Sequence, residues 1–114
     1  MRKDGKLDYL EMSAGGAPLE SVKSFYSKAF GWTFTDYGPQ YAAFDEGLDG
    51  GFDASDPAAR TPPLPVLFSL DLEKSLSAVT AAGGKIVKPI FSFPGGRRFH
   101  FADPAGNEMA VWAE

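Results

Sequence analysis

The stretch RRFHFADPAGNEMAVWA, residues 97–113, decides the fold because it folds onto itself as a hairpin. If residues 103–107 form the turn, Ala102 lies opposite Glu108, His100 opposite Ala110, and Arg98 opposite Trp112. Directly opposed residues share a face of the sheet. One face is then purely apolar, with Phe99, Phe101, Met109 and Val111. The other is mixed, with Arg98, His100, Ala102, Glu108, Ala110 and Trp112. A turn with an odd number of residues makes the apolar positions coincide, so this register is self-consistent.

The residues before this hairpin predict three further elements. Residues 66–70 are apolar and strand-like, and Asp71 is a good N-cap for a helix that ends at Gly83-Gly84. A strand over about 85–92 follows, joined to the hairpin by a turn at Pro94-Gly95-Gly96. The second half of the chain therefore reads as strand, helix and three strands.

The first half has the same order of elements. A strand over 6–12 precedes a helix that starts at Pro18 and ends at Gly31, and strands follow at about 32–36, 40–45 and 48–53. A shift of 53 residues places Leu19 on Leu72 and Gly31 on Gly84. The chain is thus predicted to be one α+β domain, 1–114, with module 1 at about 1–53, a proline-rich linker at about 54–65, and module 2 at about 66–114.

Composition excludes several classes of function. The chain has 114 residues, 44% hydrophobic and 23% charged, which fits one globular domain. It has no cysteine, so disulfides and thiolate chemistry are excluded, and one histidine, so no site in one chain holds two His ligands. The net charge of −4 argues against a general affinity for nucleic acid. Without a signal-peptide pattern or a membrane-length apolar run, a cytoplasmic location is expected, with no membrane partner.

The first strand divides in the same way as the last hairpin. Leu10 and Met12 share one face, and Tyr9 and Glu11 share the other. We expect the apolar faces to pack on the helices and the mixed faces to line a concave surface that holds a ligand.

Two motifs together resemble the glyoxalase/bleomycin-resistance/extradiol-dioxygenase superfamily, which has the vicinal oxygen chelate fold. They are Phe25-Tyr26 followed by Phe30-Gly31-Trp32, and Phe99-x-Phe101-x-Asp103-Pro104-x-Gly106-Asn107-Glu108. The resemblance covers essentially the whole chain. It implies two βαβββ modules that form a cupped, eight-stranded mixed sheet with helices on the outer face. It also implies a homodimer and a small-molecule ligand.

The resemblance also implies a divalent metal, but the expected ligand positions do not match. In this chain they fall on Tyr9, near Leu64, within Gly50–Phe52, and on Ala110. Leucine, alanine and glycine side chains cannot ligate such an ion, and tyrosine does so uncommonly. We therefore predict a member of the family that lacks the usual metal ligands, and no cofactor. A divalent metal at a non-standard site of Glu11, His100 and Glu108 remains an alternative.

Six residues are predicted to bind the ligand, and each has an alternative structural role. Glu11 is a ligand-binding or acid/base carboxylate, or it forms a salt bridge with Arg97 or Arg98 or a structural hydrogen bond. His100 is a general base, a lone metal ligand, or a satisfied core residue. The predicted set is Tyr9, Glu11, Arg98, His100, Glu108 and Trp112.

Three hypotheses for function follow. The first is a metal-independent small-molecule-binding protein that holds an apolar or aromatic ligand in the cup, with polar orientation from Glu11, His100 and Arg98. The second is a lyase, isomerase or dioxygenase-type enzyme with Glu11 or His100 as base. The third is a dimeric structural protein with a filled interior.

Overall fold

The computed structural model describes residues 2–56 and 61–114. Each half contains one helix, α1 at Leu19–Phe30 and α2 at Leu72–Ala81. The strands are β1 (Leu7–Ser13), β2 (Thr35–Asp36), β3 (Tyr41–Asp45), β4 (Asp49–Asp53), β5 (Leu64–Phe68), β6 (Lys85–Phe93), β7 (Gly96–Ala102) and β8 (Glu108–Ala113). They form one mixed sheet in the order β2-β3-β4-β1-β5-β8-β7-β6. The predicted α+β class and the two strand–helix–three-strand repeats are confirmed.

The last hairpin has the predicted register. Ala102 pairs with Glu108, His100 with Ala110, and Arg98 with Trp112. Asp103 holds the turn, because its carboxylate accepts hydrogen bonds from the backbone N–H groups of Ala105 and Asn107, each at 2.9 Å. The odd number of turn residues thus places the two apolar sets on one face.

The chain divides into two compact units. Residues 1–8 and 64–114 form unit 1, and residues 9–63 form unit 2. The N-terminal residues group with the C-terminal half because Gly5 donates its backbone N–H to Phe68, and Phe68 donates to Lys6. The centre of the predicted linker, residues 57–60, lies outside the described residues.

In unit 1 the apolar face of the hairpin packs on α2, as predicted. Phe99 and Leu72 are almost fully buried, and α2 begins at an N-cap in which Asp71 accepts the backbone N–H of Lys74 at 3.1 Å. Buried members of this core are Leu72, Phe99, Val111 and Ala113, with Leu67, Leu76, Val79, Ile86, Ile90 and Phe101 packed against them.

In unit 2 the core is largely aromatic. The ring of Tyr26 stacks on Trp32 with centroids 4.7 Å apart and lies 5.3 Å from Phe52. Trp32 in turn lies 4.9 Å from Phe44. None of the α1 residues is fully buried, although the helix ends at Gly31 in the predicted left-handed conformation, with φ of 74°.

Two strands differ from the prediction by more than one residue at a boundary. The strand expected over 32–36 is only Thr35–Asp36, because the backbone N–H of Trp32 bonds to the carbonyl of Tyr26 and terminates α1 instead of joining a ladder. The strand expected over 66–70 is Leu64–Phe68, because Ser69 already turns the chain by accepting the N–H of Asp71. No helix in the described part of the chain is long and apolar enough to cross a membrane.

Candidate functional site

Unit 1 brings four of the six predicted residues together on its mixed face. Arg98 and Trp112 are direct cross-strand partners on β7 and β8. His100 lies two residues along β7 from Arg98, and Glu108 contacts it from β8. The other two residues, Tyr9 and Glu11, belong to unit 2.

Strand β6 adds two aromatic rings to this face that the sequence did not single out. Phe91 pairs with Arg98, and the guanidinium carbon lies 5.5 Å from the centroid of Phe91 and 5.8 Å from that of Phe93. Such distances allow cation–π attraction. Phe93 also lies 6.4 Å from Trp112. We call the set Phe91, Phe93, Arg98, His100, Glu108 and Trp112 the unit 1 site.

His100 is the buried polar group of the unit 1 site, with 3% of its surface exposed. Its Nδ1 lies 2.9 Å from a carboxylate oxygen of Glu108. Burial lowers the pKa of His100, and the nearby charges of Arg98 and Lys88 also lower it, against the opposing effect of Glu108. The ring is therefore neutral near pH 7. A neutral ring next to a carboxylate carries its proton on Nδ1, which leaves a lone pair on Nε2.

No hydrogen-bond partner of the His100 Nε2 atom occurs among the residues that the structure describes. Buried polar atoms rarely lack a partner, and leaving one unsatisfied costs about 1–3 kcal/mol. His100 was considered as a core residue with all of its polar atoms hydrogen-bonded. In the described part of the chain this holds for Nδ1 but not for Nε2. Chemically, the arrangement offers a fixed hydrogen-bond acceptor, or a base, on an otherwise aromatic face.

The N-terminal segment fixes the Trp112 ring. The indole N–H donates to Asp8 at 2.9 Å, and the guanidinium of Arg2 lies 5.1 Å from the ring centroid. Arg2 also lies 3.4 Å from the same carboxylate oxygen of Asp8. These contacts hold the indole in one orientation, so that it serves as a rigid wall of the site. Nothing in the strand pattern of residues 6–12 pointed to this role of Asp8.

In unit 2, Tyr9 is held by a second tyrosine. Its hydroxyl is hydrogen-bonded to that of Tyr41, whose ring lies over Gly51 on β4. Burial is the main cause that raises the pKa of both tyrosines, and the charge of Glu11 raises the pKa of each further. Both hydroxyls are therefore uncharged near pH 7. Glu11, paired in register with Gly51, lies on the same face as predicted.

Of the two arginines considered as partners of Glu11, Arg97 is held elsewhere. Its guanidinium forms two hydrogen bonds with Glu73 of α2, at 2.6 and 3.1 Å. Adjacent residues of a strand point to opposite faces, so Arg97 and Arg98 serve different surfaces. That difference makes Arg97 a matched control for Arg98.

The positions where the resemblance implies metal ligands do not fit a metal. The Tyr9 hydroxyl is engaged by Tyr41, and Gly51 has no room for a side chain because a Cβ there would lie 2.6 Å from a ring carbon of Tyr41. Ala110 is fully buried and, like Leu64, offers no donor atom. Within residues 2–56 and 61–114, no three His, Asp or Glu side chains group in a way that could hold a metal ion.

Comparisons with known proteins agree with this fold. The chain superposes on an NAD-dependent benzaldehyde dehydrogenase from Legionella pneumophila with a TM-score of 0.73 and 16% identity, covering 92% of this chain and 96% of that one. A methylmalonyl-CoA epimerase from Mycobacterium tuberculosis gives 0.69 and 13% identity, covering 99% and 90%. A Mn(II)-bound glyoxalase from Novosphingobium aromaticivorans gives 0.59 and 18%, covering 92% of this chain and 36% of that one. At these identities the likeness shows the fold alone.

The sequence comparisons assign the family. None of the curated proteins matches the chain. The model of one family does match, over residues 11–111, which is most of the chain. The chain belongs to the Glyoxalase/Bleomycin resistance protein/Dioxygenase superfamily.

Proposed function

We propose that the protein binds a small organic molecule at the unit 1 site without the help of a metal. The observation that carries the proposal is a neutral, buried imidazole whose Nε2 has no partner among the described residues and whose ring lies against Phe91, with Phe93 and Trp112 in contact with each other on the same face. Ligand sites combine apolar walls with a few polar groups that fix orientation. Phe91, Phe93 and Trp112 supply the walls, whereas Arg98 and His100 supply polar orientation.

A ligand screen tests this proposal. A broad library of flat apolar compounds is screened by thermal shift, since a ligand at about 100 times its Kd stabilises a protein by about 2.7 kcal/mol. Hits are confirmed from the imidazole nitrogen resonances, which belong to one residue because the chain has one histidine. Arg98→Met should weaken binding and Arg97→Met should not. A library without a compound that moves the His100 resonances would refute the proposal.

Metal independence is supported by the residues at the family's ligand positions. Residues Gly50 to Phe52, Leu64 and Ala110 carry no side-chain metal ligand, and Tyr9 is bonded to Tyr41. The test is loading of tag-free protein with Ni²⁺, Zn²⁺ or Mn²⁺, followed by calorimetry and elemental analysis. We expect no stoichiometric binding and unchanged affinity for the screened ligands after treatment with a chelator. Stoichiometric metal that is lost in Glu108→Gln would favour a non-standard site.

A second candidate function is catalysis of a lyase or isomerase type, with His100 as general base. The Glu108 carboxylate supports it by holding the proton of the ring on Nδ1, which leaves Nε2 able to accept a proton from a substrate. A test is exchange of a carbon-bound proton of a screened ligand for deuterium, followed by NMR. Exchange by the native protein that is lost in His100→Gln, while ligand binding persists, would support catalysis. Binding without exchange would leave the binding function alone.

We further propose that the ligand-binding roles of Tyr9 and Glu11, the homodimer and the cytoplasmic location hold as predicted. Tyr9→Phe and Glu11→Gln should each weaken ligand binding. The ligand affinity of each of these two variants is compared with that of the native protein, in experiments separate from those on the unit 1 variants.

Sedimentation equilibrium of the native chain tests the dimer, and a single monomeric species over a wide range of concentrations would refute it. Fractionation of the native host tests the location.

A further inference from the structure

The unsatisfied Nε2 of His100 sets a requirement on any occupant of the unit 1 site. Since Nδ1 is bonded to Glu108 and the ring is neutral, Nε2 can only accept a hydrogen bond. An occupant without an O–H or N–H donor would leave this buried atom unsatisfied. The site should therefore prefer occupants that carry an O–H or N–H donor over apolar molecules of the same shape that lack one.

Strand β6, which pairs with β7, is irregular next to His100. Lys88 of β6 pairs with His100, and the register shifts on both sides of Lys88. Pro89, which has no backbone N–H, lies within the second shift. Register irregularities of this kind are frequent beside functional sites, where they redirect a side chain. Since β6 is the last strand of the sheet order, it has a neighbour on one side only.

The side chain that follows this irregularity, Phe91, lies against His100. The ring of Phe91 lies 5.8 Å from the imidazole, at an angle of 39°. The guanidinium of Arg98 lies on the same ring. Phe91 is half-buried. A phenyl ring makes no hydrogen bond of the sheet, so this ring can turn without disturbing the strand pairing.

We propose that the unit 1 site takes a flat apolar molecule with a single O–H or N–H donor, which hydrogen-bonds to Nε2 of His100 after the Phe91 ring turns aside. This inference rests on the proposed binding function and names the class of its ligand. Phenols and N–H heteroaromatics are members of that class. Their methylated counterparts have nearly the same shape and no donor.

Matched pairs of probes test the donor requirement. Indole is compared with 1-methylindole and phenol with anisole, with affinities from calorimetry and contact with His100 from its imidazole nitrogen resonances. We expect the donor compound to bind about 10- to 100-fold more tightly than its methylated partner, as for a hydrogen bond to an otherwise unsatisfied buried atom. Equal affinities within each pair would overturn the inference but leave the binding function intact. Absence of binding by all four probes would also overturn it.

Two substitutions at His100 separate the hydrogen bond from the fold. His100→Gln keeps an acceptor oxygen and should retain part of the preference for the donor compound. His100→Leu has no acceptor and should bind the members of each pair equally. Near-ultraviolet circular dichroism, to which both tryptophans and the other aromatic side chains contribute, checks that both variants are folded. A preference that survives in His100→Leu would show that another group, or an ordered water, accepts the donor and would overturn the inference.

The role of Phe91 is tested by rates. Phe91→Ala should increase the association rate of indole at least several-fold, because the ring no longer has to turn aside. Phe25→Ala, which removes an exposed ring from α1 in unit 2, is the control and should leave the rate unchanged. An unchanged rate in Phe91→Ala would contradict entry past this ring.

Discussion

Burial and two neighbouring cations keep the His100 ring uncharged, and this has a measurable effect on stability. The folded chain has a His100 pKa below the ordinary value of 6.5, so the unfolded chain binds the proton first as the pH falls. The free energy of unfolding must then decrease between pH 6.5 and the lower folded pKa. Below that range both states carry the proton, and this contribution levels off.

Urea unfolding at a series of pH values measures this effect. We expect a loss of about 1.4 kcal/mol for every pH unit between the two pKa values. His100→Gln cannot titrate, so its stability should be flat over the same range, until the carboxylates begin to protonate. A native protein that is equally stable at about pH 7.5 and about pH 5 would contradict a lowered pKa. Direct titration of the imidazole resonances gives the folded value independently.

Gly51 shows a second residue-scale constraint, since the Tyr41 ring occupies the space of its missing side chain. Gly51→Ala should destabilise the protein by about 1–3 kcal/mol, as overpacking does elsewhere. In the Tyr41→Ala background this space is vacant, so Gly51→Ala should lower the free energy of unfolding by much less. A double-mutant cycle on urea midpoints measures the coupling of the two positions. Additive effects would show that the ring does not fill this space.

At the scale of elements, the two helices begin differently. Asp71 caps α2 through its side chain, whereas Pro18 precedes α1 with no side-chain hydrogen bond to the helix. Asp71→Ala should reduce stability by about 1 kcal/mol, whereas Asp71→Asn, which retains a good capping group, should change it little. Urea unfolding at neutral pH distinguishes these outcomes. Similar losses in both variants would assign the effect to the charge and not to the cap.

The elements also show where sequence reasoning succeeds and where it fails. The β7–β8 hairpin was predictable to the residue because alternation and turn length agree, and Asp103 bonds within the turn. The bounds of β6 were predicted to within one residue, but its register was not, because the shifts beside Lys88 interrupt its alternation and hide the face on which Phe91 lies. The neutral state of His100 was equally hidden, since it depends on burial and on the charges of Arg98 on its own strand and Lys88 on β6. Alternation along a strand predicts which of its residues share a face, but it does not predict which side chains of the other strands contact them.

At the scale of the whole molecule, charge is unevenly divided. Residues 9–63 carry eight acidic and three basic side chains, a net charge of 3 − 8 = −5, whereas unit 1 carries seven acidic and eight basic, 8 − 7 = +1. Part of the excess in unit 2 lies on one hairpin, where Asp45 and Asp49 are direct cross-strand partners. Like charges in that arrangement oppose pairing. Repulsion within unit 2 is therefore a cost of folding that salt can screen.

We expect added salt to stabilise the native chain. Two unit charges about 10 Å apart in water interact by about 0.4 kcal/mol, and at about 0.15 M salt the Debye length falls to about 8 Å. The exposed ion pairs, Lys23 with Glu20 and Asp36 and Arg97 with Glu73, lose stability in salt but contribute little each. Screening of the net repulsion should therefore dominate, and the unfolding midpoint should rise between low and physiological salt.

Asp49→Asn is the variant that localises this repulsion. Removing one of the two opposed carboxylates should stabilise the protein by about 0.5 kcal/mol at low salt and by less at physiological salt. Glu114→Gln, at the exposed C-terminus of unit 1, removes the same charge away from the acidic excess and should have almost no effect. Thermal unfolding of the three proteins across a salt series is the measurement. Equal gains from both substitutions would assign the effect to total charge and not to the acidic hairpin of unit 2.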